Sequence, residues 1–171
     1  MAKKQSKSKQ PIWKTILILV GFIALPLIVG GLSAAITGDA MSKFGQFNKP
    51  PLAPPSWLFP VAWSILYVLM GIASFLIWSA KTSKKADEKE KKTLLTIYGI
   101  QLFFNFCWSL LFFLAEQYYF AFAWLIVMWV MIIILTVKSR KFSMTAMWML
   151  IPYILWTTFA AYLNLAIAIL N

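Results

Sequence analysis

The chain has 171 residues, of which 61% are hydrophobic and 12% charged, against about 45–50% and about 25% in soluble domains. That balance excludes a water-soluble globular domain, and the length suits one helical bundle with no second domain. A single cysteine, Cys107, and no histidine exclude an intramolecular disulfide and remove the commonest transition-metal ligand and the commonest general base.

Residues 1–12 form a basic tail, read as disordered. Uncharged apolar runs follow at Thr15–Gly38, Pro50–Ala80, Thr93–Ala115, Gln117–Val137 and Phe142–Asn171. Each is long enough for the ~20 helical residues that span a bilayer core. In lipid such runs must be helices, because lone strands leave backbone groups unpaired. The expected spans are 13–36, 57–80, 93–114, 119–138 and 144–168, an all-α bundle occupying residues 13–171 as one domain. Helix 1 is interrupted by Pro26, and its apolar run is too long for a cleavable signal peptide. Its small pairs Gly30/Ala34 and Gly31/Ala35 admit two uses, tight packing inside the bundle or a homodimer.

Charge sets the expected topology. The tail (Lys3, Lys4, Lys7, Lys9, Lys14), the connection after helix 2 (Lys81 to Lys92) and the connection after helix 4 (Lys138, Arg140, Lys141) hold fourteen basic residues, against Lys43 and Lys49 on the opposite side. The bias predicts a cytoplasmic amino terminus and an outer carboxyl terminus. The net charge of +11 is therefore read as a topology signal rather than a nucleic-acid footprint. The run Lys81–Lys92 is read as a solvated loop facing lipid headgroups. The lysine-rich start, with no mitochondrial-type leader, points to a bacterial plasma membrane.

Loop 1, residues 37–56, stands apart. Pro50, Pro51, Pro54 and Pro55 fix φ and remove backbone donors, so the segment is stiff and extended. A simple connection between antiparallel helices needs only a few residues. With Phe44, Phe47 and Leu52 as apolar anchors, two readings stand: a lid on the outer end of the bundle, or a rigid linker.

Depth sorts the tryptophans. Trp13, Trp57 and Trp78 fall at helix ends, where indoles anchor to the membrane interface. Trp63, Trp108 and Trp156 lie roughly 9–18 Å below the outer surface at a rise of about 1.5 Å per residue. Buried indole N–H groups want partners, and Asn105, Ser109 and Asn164 lie at similar depth. Gln101, Asn105 and Ser109 share one face of helix 3. They serve either as interhelical hydrogen-bond partners or as the polar lining of a cavity.

The segments Phe44-x-x-Phe47-x-Lys49-Pro50-x-Leu52-x-Pro54-Pro55-x-Trp57-x-Phe59-x-x-x-Trp63-x-x-x-Tyr67, Gln101-Leu102-x-x-Asn105-x-x-Trp108-Ser109-x-x-Phe112-Phe113 and Pro152-Tyr153-x-x-Trp156-x-x-Phe159-Ala160-x-x-Leu163-Asn164 occur in this order. Together they resemble the TspO/MBR family of tryptophan-rich sensory proteins and translocator proteins, from Gly30 to the end of the chain. Lys43-Phe44 stands where the family pattern has Trp-Tyr, and Leu52 where it has an aromatic. No basic residue follows Tyr162, so the sterol pattern of animal members is absent.

The resemblance implies a pocket beneath loop 1 that binds protoporphyrin IX and flat aromatic ligands. Phe44, Phe47, Pro50, Leu52, Pro54 and Pro55 would line it from the loop, and Trp63 and Tyr67 from helix 2. Helix 3 would add Gln101, Asn105, Trp108 and Ser109, and helix 5 Trp156, Phe159, Ala160 and Asn164. Three functions follow from the same resemblance. One is a tetrapyrrole-binding receptor or sensor of stress. The second is a light- and oxygen-dependent degrader of porphyrin in which Trp63 and Trp156 are the catalytic groups. The third is a porphyrin or lipid carrier. No acid–base dyad, nucleophile or metal cluster supports conventional enzyme chemistry. The porphyrin is then ligand or substrate rather than cofactor, and the metal-free form is expected in preference to haem. The expected partners are membrane lipids, flat aromatic small molecules and a homodimeric copy, with no nucleic acid.

Overall fold

The computed structural model describes residues 11–42 and 45–171, the side chains of 39–42 excepted. It contains five helices long and apolar enough to cross a membrane: α1 (Ile12–Ser42), α2 (Leu58–Ser79), α3 (Lys85–Ser109), α4 (Tyr118–Ser139) and α5 (Met144–Leu170). There is no strand among the described residues. Residues 1–10, read above as a disordered tail, lie outside the described residues, as does Phe44.

The two largest differences from the sequence reading are at the end of α1 and the start of α3. α1 continues through Pro26 to Ser42, into the segment assigned to loop 1. α3 begins at Lys85, inside the basic run taken for a solvated loop. The α3 start works as a helix because acidic residues in its first turns answer the lysines and favour the positive end of the helix dipole. Glu88 pairs with Lys91 at 3.0 Å and accepts from Thr82 at 2.6 Å, while Lys91 donates to the Ala80 carbonyl at the end of α2. Lys141 from the α4–α5 turn reaches Asp87 at 2.8 Å and Glu90 at 2.6 Å. α3 ends in a π-turn, Leu110–Leu114, which brings the consecutive rings of Phe112 and Phe113 both into the interior. Such wide turns interrupt helices mostly at functional positions.

The helices form a closed ring in the order α1, α2, α5, α4, α3. Its core is set by side chains such as Met70, Leu94, Leu125, Ile132 and Leu150, all essentially inaccessible. α1 is the exception to this burial, with 11% of its apolar span buried against 33–39% for the other four. It is held to α2 at one level by close backbone approach: a Cβ on Gly71 would stand 2.5 Å from Ile23 Cα. Just below, Phe22 packs on Phe75 and Trp78 with centroids 6.0 and 5.7 Å away. Small residues allow such contacts where lipid supplies no hydrophobic drive between helices.

Candidate functional site

The polar residues of the interior are satisfied mainly by one another. Tyr67 on α2 donates to Asn105 Oδ1 on α3 at 2.7 Å. Asn105 Nδ2 donates to the Tyr153 hydroxyl on α5 at 3.2 Å, and that hydroxyl donates to Gln101 Oε1 at 2.8 Å. The donors run head to tail, an arrangement in which each bond polarises the next. Nearer loop 1, Trp108 donates to Asn164 Oδ1 at 3.0 Å, and Asn164 Nδ2 donates to the Tyr118 carbonyl at 2.8 Å. Of the two uses open for Gln101, Asn105 and Asn164, the structure displays interhelical hydrogen bonding. Gln101 keeps one buried amide donor, Nε2, without a partner.

Beside this network lies a cavity of about 200 Å³ in the loop-1 half of the bundle, between α1, α2 and α3. α2 contributes Phe59, Trp63 and Tyr67, α3 contributes Trp108 and Ser109, and the π-turn contributes Phe113. Trp63 is the hub of its aromatic wall. Its ring stacks on Tyr67 at 5.5 Å, lies 6.3 Å from Trp108, and meets Tyr153 edge-on at 6.1 Å. The α1 wall is small and hydroxylated, with Gly30, Ser33 and Thr37 facing in. Gly30 is required here, because a Cβ would fall 2.0 Å from Tyr67 Cε2. Thr37 donates to the Ser33 carbonyl at 2.8 Å, whereas the Ser33 hydroxyl is buried without a partner. No charged side chain lines this cavity among the described residues.

Trp63, Tyr67, Trp108 and Ser109 are therefore brought together. Trp156 and Phe159 are not part of that wall. They line a separate open groove between α2 and α5, with Leu155 and Pro152. Trp156 meets Phe59 edge-on at 6.0 Å and leaves its indole N–H buried without a partner. Ala160 and Asn164 border a small void of about 20 Å³ behind Trp108.

Residues 45–56 of loop 1 lie over the end of the bundle, and none of them lines the cavity wall. Phe47 sits edge-on to Phe112 and Tyr118 at 6.3 and 5.6 Å, and Pro50 is buried while Leu52 is 83% exposed. Pro54 and Pro55 are partly and fully exposed, and neither borders the cavity. The loop is fastened to the end of α5. Asn48 N–H donates to Asn171 Oδ1 at 3.0 Å, Asn48 Nδ2 donates to the Leu170 carbonyl at 3.2 Å, and Asn171 Nδ2 returns a bond to the Asn48 carbonyl at 3.3 Å. Tyr162 adds a bond from its hydroxyl to the Pro51 carbonyl at 2.8 Å.

Sequence reasoning missed Ser33, Thr37 and Tyr153 as members of this region. The signal for the first two was the inward register Gly30, Ser33, Ala34, Thr37, at helical spacings of three and four. Tyr153 stood inside the quoted α5 motif.

The TspO/MBR family model matches residues 22–170. The chain is 32% identical over 159 residues to a tryptophan-rich protein TspO of Chlorobaculum tepidum, covering 92% of this chain and 98% of that one. It is 36% identical over 146 residues to a translocator protein of Ovis aries, covering 85% of each. A tryptophan-rich sensory protein of Cereibacter sphaeroides is 32% identical over 128 residues, covering 75% of this chain and 76% of that one.

Proposed function

Because this chain belongs to the TspO/MBR family and is an integral, multi-pass membrane protein of the sensory and translocator type, we propose that its bundle binds protoporphyrin IX and other flat aromatic ligands against Trp63. The observation that carries this reading is the aromatic wall: Trp63 stacked on Tyr67 and flanked by Trp108 beside an open volume. Offset stacking on such faces contributes about 0.5–1.5 kcal/mol per ring beyond burial. The volume of about 200 Å³ is below the ~300–1,000 Å³ of drug-sized sites, so the ligand-loaded state is a widened one.

The test is titration of the protein in lipid nanodiscs with protoporphyrin IX, followed by tryptophan fluorescence. Saturable quenching at micromolar ligand is expected, weakened about five- to tenfold in Trp63→Phe. Absence of saturable quenching sinks the reading. With no histidine in the chain, a haem titration should give no sharp six-coordinate Soret band. No cofactor is proposed, and the fourteen-to-two basic bias supports placing loop 1 on the outer side.

A second reading, light- and oxygen-dependent degradation of the bound porphyrin, draws on the Trp63–Tyr67 stack as a pair of oxidisable rings beside the ligand. Illumination of the saturated complex under oxygen separates the two readings. A stable Soret band means binding alone, and its decay in wild-type protein but not in Trp63→Phe means degradation. Trp156 lies in the other groove, so Trp156→Phe is expected to leave either outcome largely intact.

A further inference from the structure

The cavity has a floor, a rim and a roof of different character. Its floor is closed by Tyr67, Trp108 and Phe113, each at most 8% exposed. Its rim is open, because Leu27, Gly31 and Ala34 on α1 and Pro60 and Ser64 on α2 all line the cavity and are all exposed. Residues exposed at this depth on a membrane-spanning helix face lipid. Above, the described part of loop 1 is fastened to α5 by the Asn48–Asn171 pair and by Tyr162. Opening that side requires several hydrogen bonds to break together, whereas among the described residues no side-chain hydrogen bond joins α1 to α2 at the rim.

The chemistry of the walls limits what can pass. They hold hydroxyls and aromatic rings but no charge, and a charged group moved into such surroundings without a partner is costly. Ser33 is 4% exposed and its hydroxyl has no partner. A serine in a helix commonly bonds the carbonyl four residues back; this one leaves its donor unused at the cavity wall. A buried unmade bond costs about 1–3 kcal/mol, which a ligand acceptor would remove.

Resting on the ligand-binding reading above, we propose that the cavity is loaded sideways from the bilayer, through the seam between α1 and α2, by an uncharged flat aromatic ligand whose acceptor atom takes the Ser33 hydroxyl. A porphyrin carboxylate would then stay outside the cavity wall, and the neutral ester would be the better ligand.

The test uses the full chain in phosphatidylcholine nanodiscs and protoporphyrin IX dimethyl ester delivered from phosphatidylcholine vesicles, with the free acid as comparison. Tryptophan quenching is followed by stopped flow. Gly31→Leu and Ser64→Leu narrow the rim from opposite sides, and at Gly31 nothing stands within 4 Å of an added Cβ. Each is expected to slow association and release together by about tenfold, with the equilibrium affinity changed less than about threefold, the signature of a barrier rather than a contact. Asn171→Ala, which loosens the roof, is expected to leave the association rate within about twofold. Ser33→Ala should weaken the ester about five- to tenfold through faster release. Rim variants that load at the wild-type rate, or a roof variant that loads faster, overturn the sideways route. Free acid binding as tightly as the ester, or Ser33→Ala at wild-type affinity, overturns the assigned ligand chemistry. If neither probe quenches wild-type protein saturably, the binding reading itself fails, an outcome distinct from saturable binding that ignores the rim.

Discussion

At the scale of single residues, two adjacent glycines have opposite meanings. Gly30 lies under the Tyr67 ring with no room for a methyl group, and Gly31 faces open space. Gly30→Ala is expected to lower thermal stability by about 1–3 kcal/mol through overpacking. Gly31→Ala should be neutral or slightly stabilising, since alanine is the better helix former by about 1 kcal/mol. Melting both variants in one detergent checks the pair. Tyr67→Phe keeps the ring but removes the donor to Asn105, and a loss of about 1–2 kcal/mol is expected in the same assay. Polar groups such as Asn105, Trp108 and Asn164 were legible in the sequence as a buried set, because an amide in an apolar run has to face something polar. Their partners were not, because the bonds cross between helices far apart in sequence. Ser33 was legible only through its helical spacing with Gly30 and Thr37, since a serine beside two alanines reads as one more small residue.

At the scale of elements, the stiffness of loop 1 was legible from its prolines and its placement was not. Pro50–Pro51–Leu52–Ala53 closes as a turn, with Ala53 N–H donating to the Pro50 carbonyl at 3.2 Å and Leu52 at φ 70°. A turn with proline second and positive φ third favours glycine or asparagine at the third place. Leucine there costs roughly 1–2 kcal/mol, so Leu52→Gly should stabilise the protein by about 1 kcal/mol in chemical unfolding. The clasp makes a separate claim. In Asn171→Ala, the Asn48 amide loses its acceptor and should exchange its proton about fivefold faster, read by amide exchange mass spectrometry. At the other end of the bundle, α3 begins earlier than its hydropathy suggests, because apolarity marks the part of a helix in lipid and not the turns beyond it. There Asp87 and Glu90 hold the Lys141 ammonium above the ordinary lysine pKa through hydrogen bonds. The tie is therefore complete at neutral pH and is lost as pH rises through that elevated value. Being exposed, it should also weaken with salt.

At the scale of the molecule, the number of crossings was legible because twenty-residue apolar runs have few other uses, and the order of helices around the ring was not, because it depends on which faces meet. Orientation has a direct test in a Cys107→Ala background. A membrane-impermeant maleimide should label Gln46→Cys on intact cells, and Ser83→Cys only after permeabilisation. The reverse pattern would invert the assignment. The uneven attachment of α1 has a mechanical meaning. Near its middle the helix is pressed backbone to backbone on α2 at Gly71 and pinned by Phe22 against Phe75 and Trp78, while its loop-1 half borders empty space. Such a rod is a lever with its fulcrum at Ile23: a small tilt leaves the pinned half in register and swings the free half widest, where Ser33 and Thr37 sit.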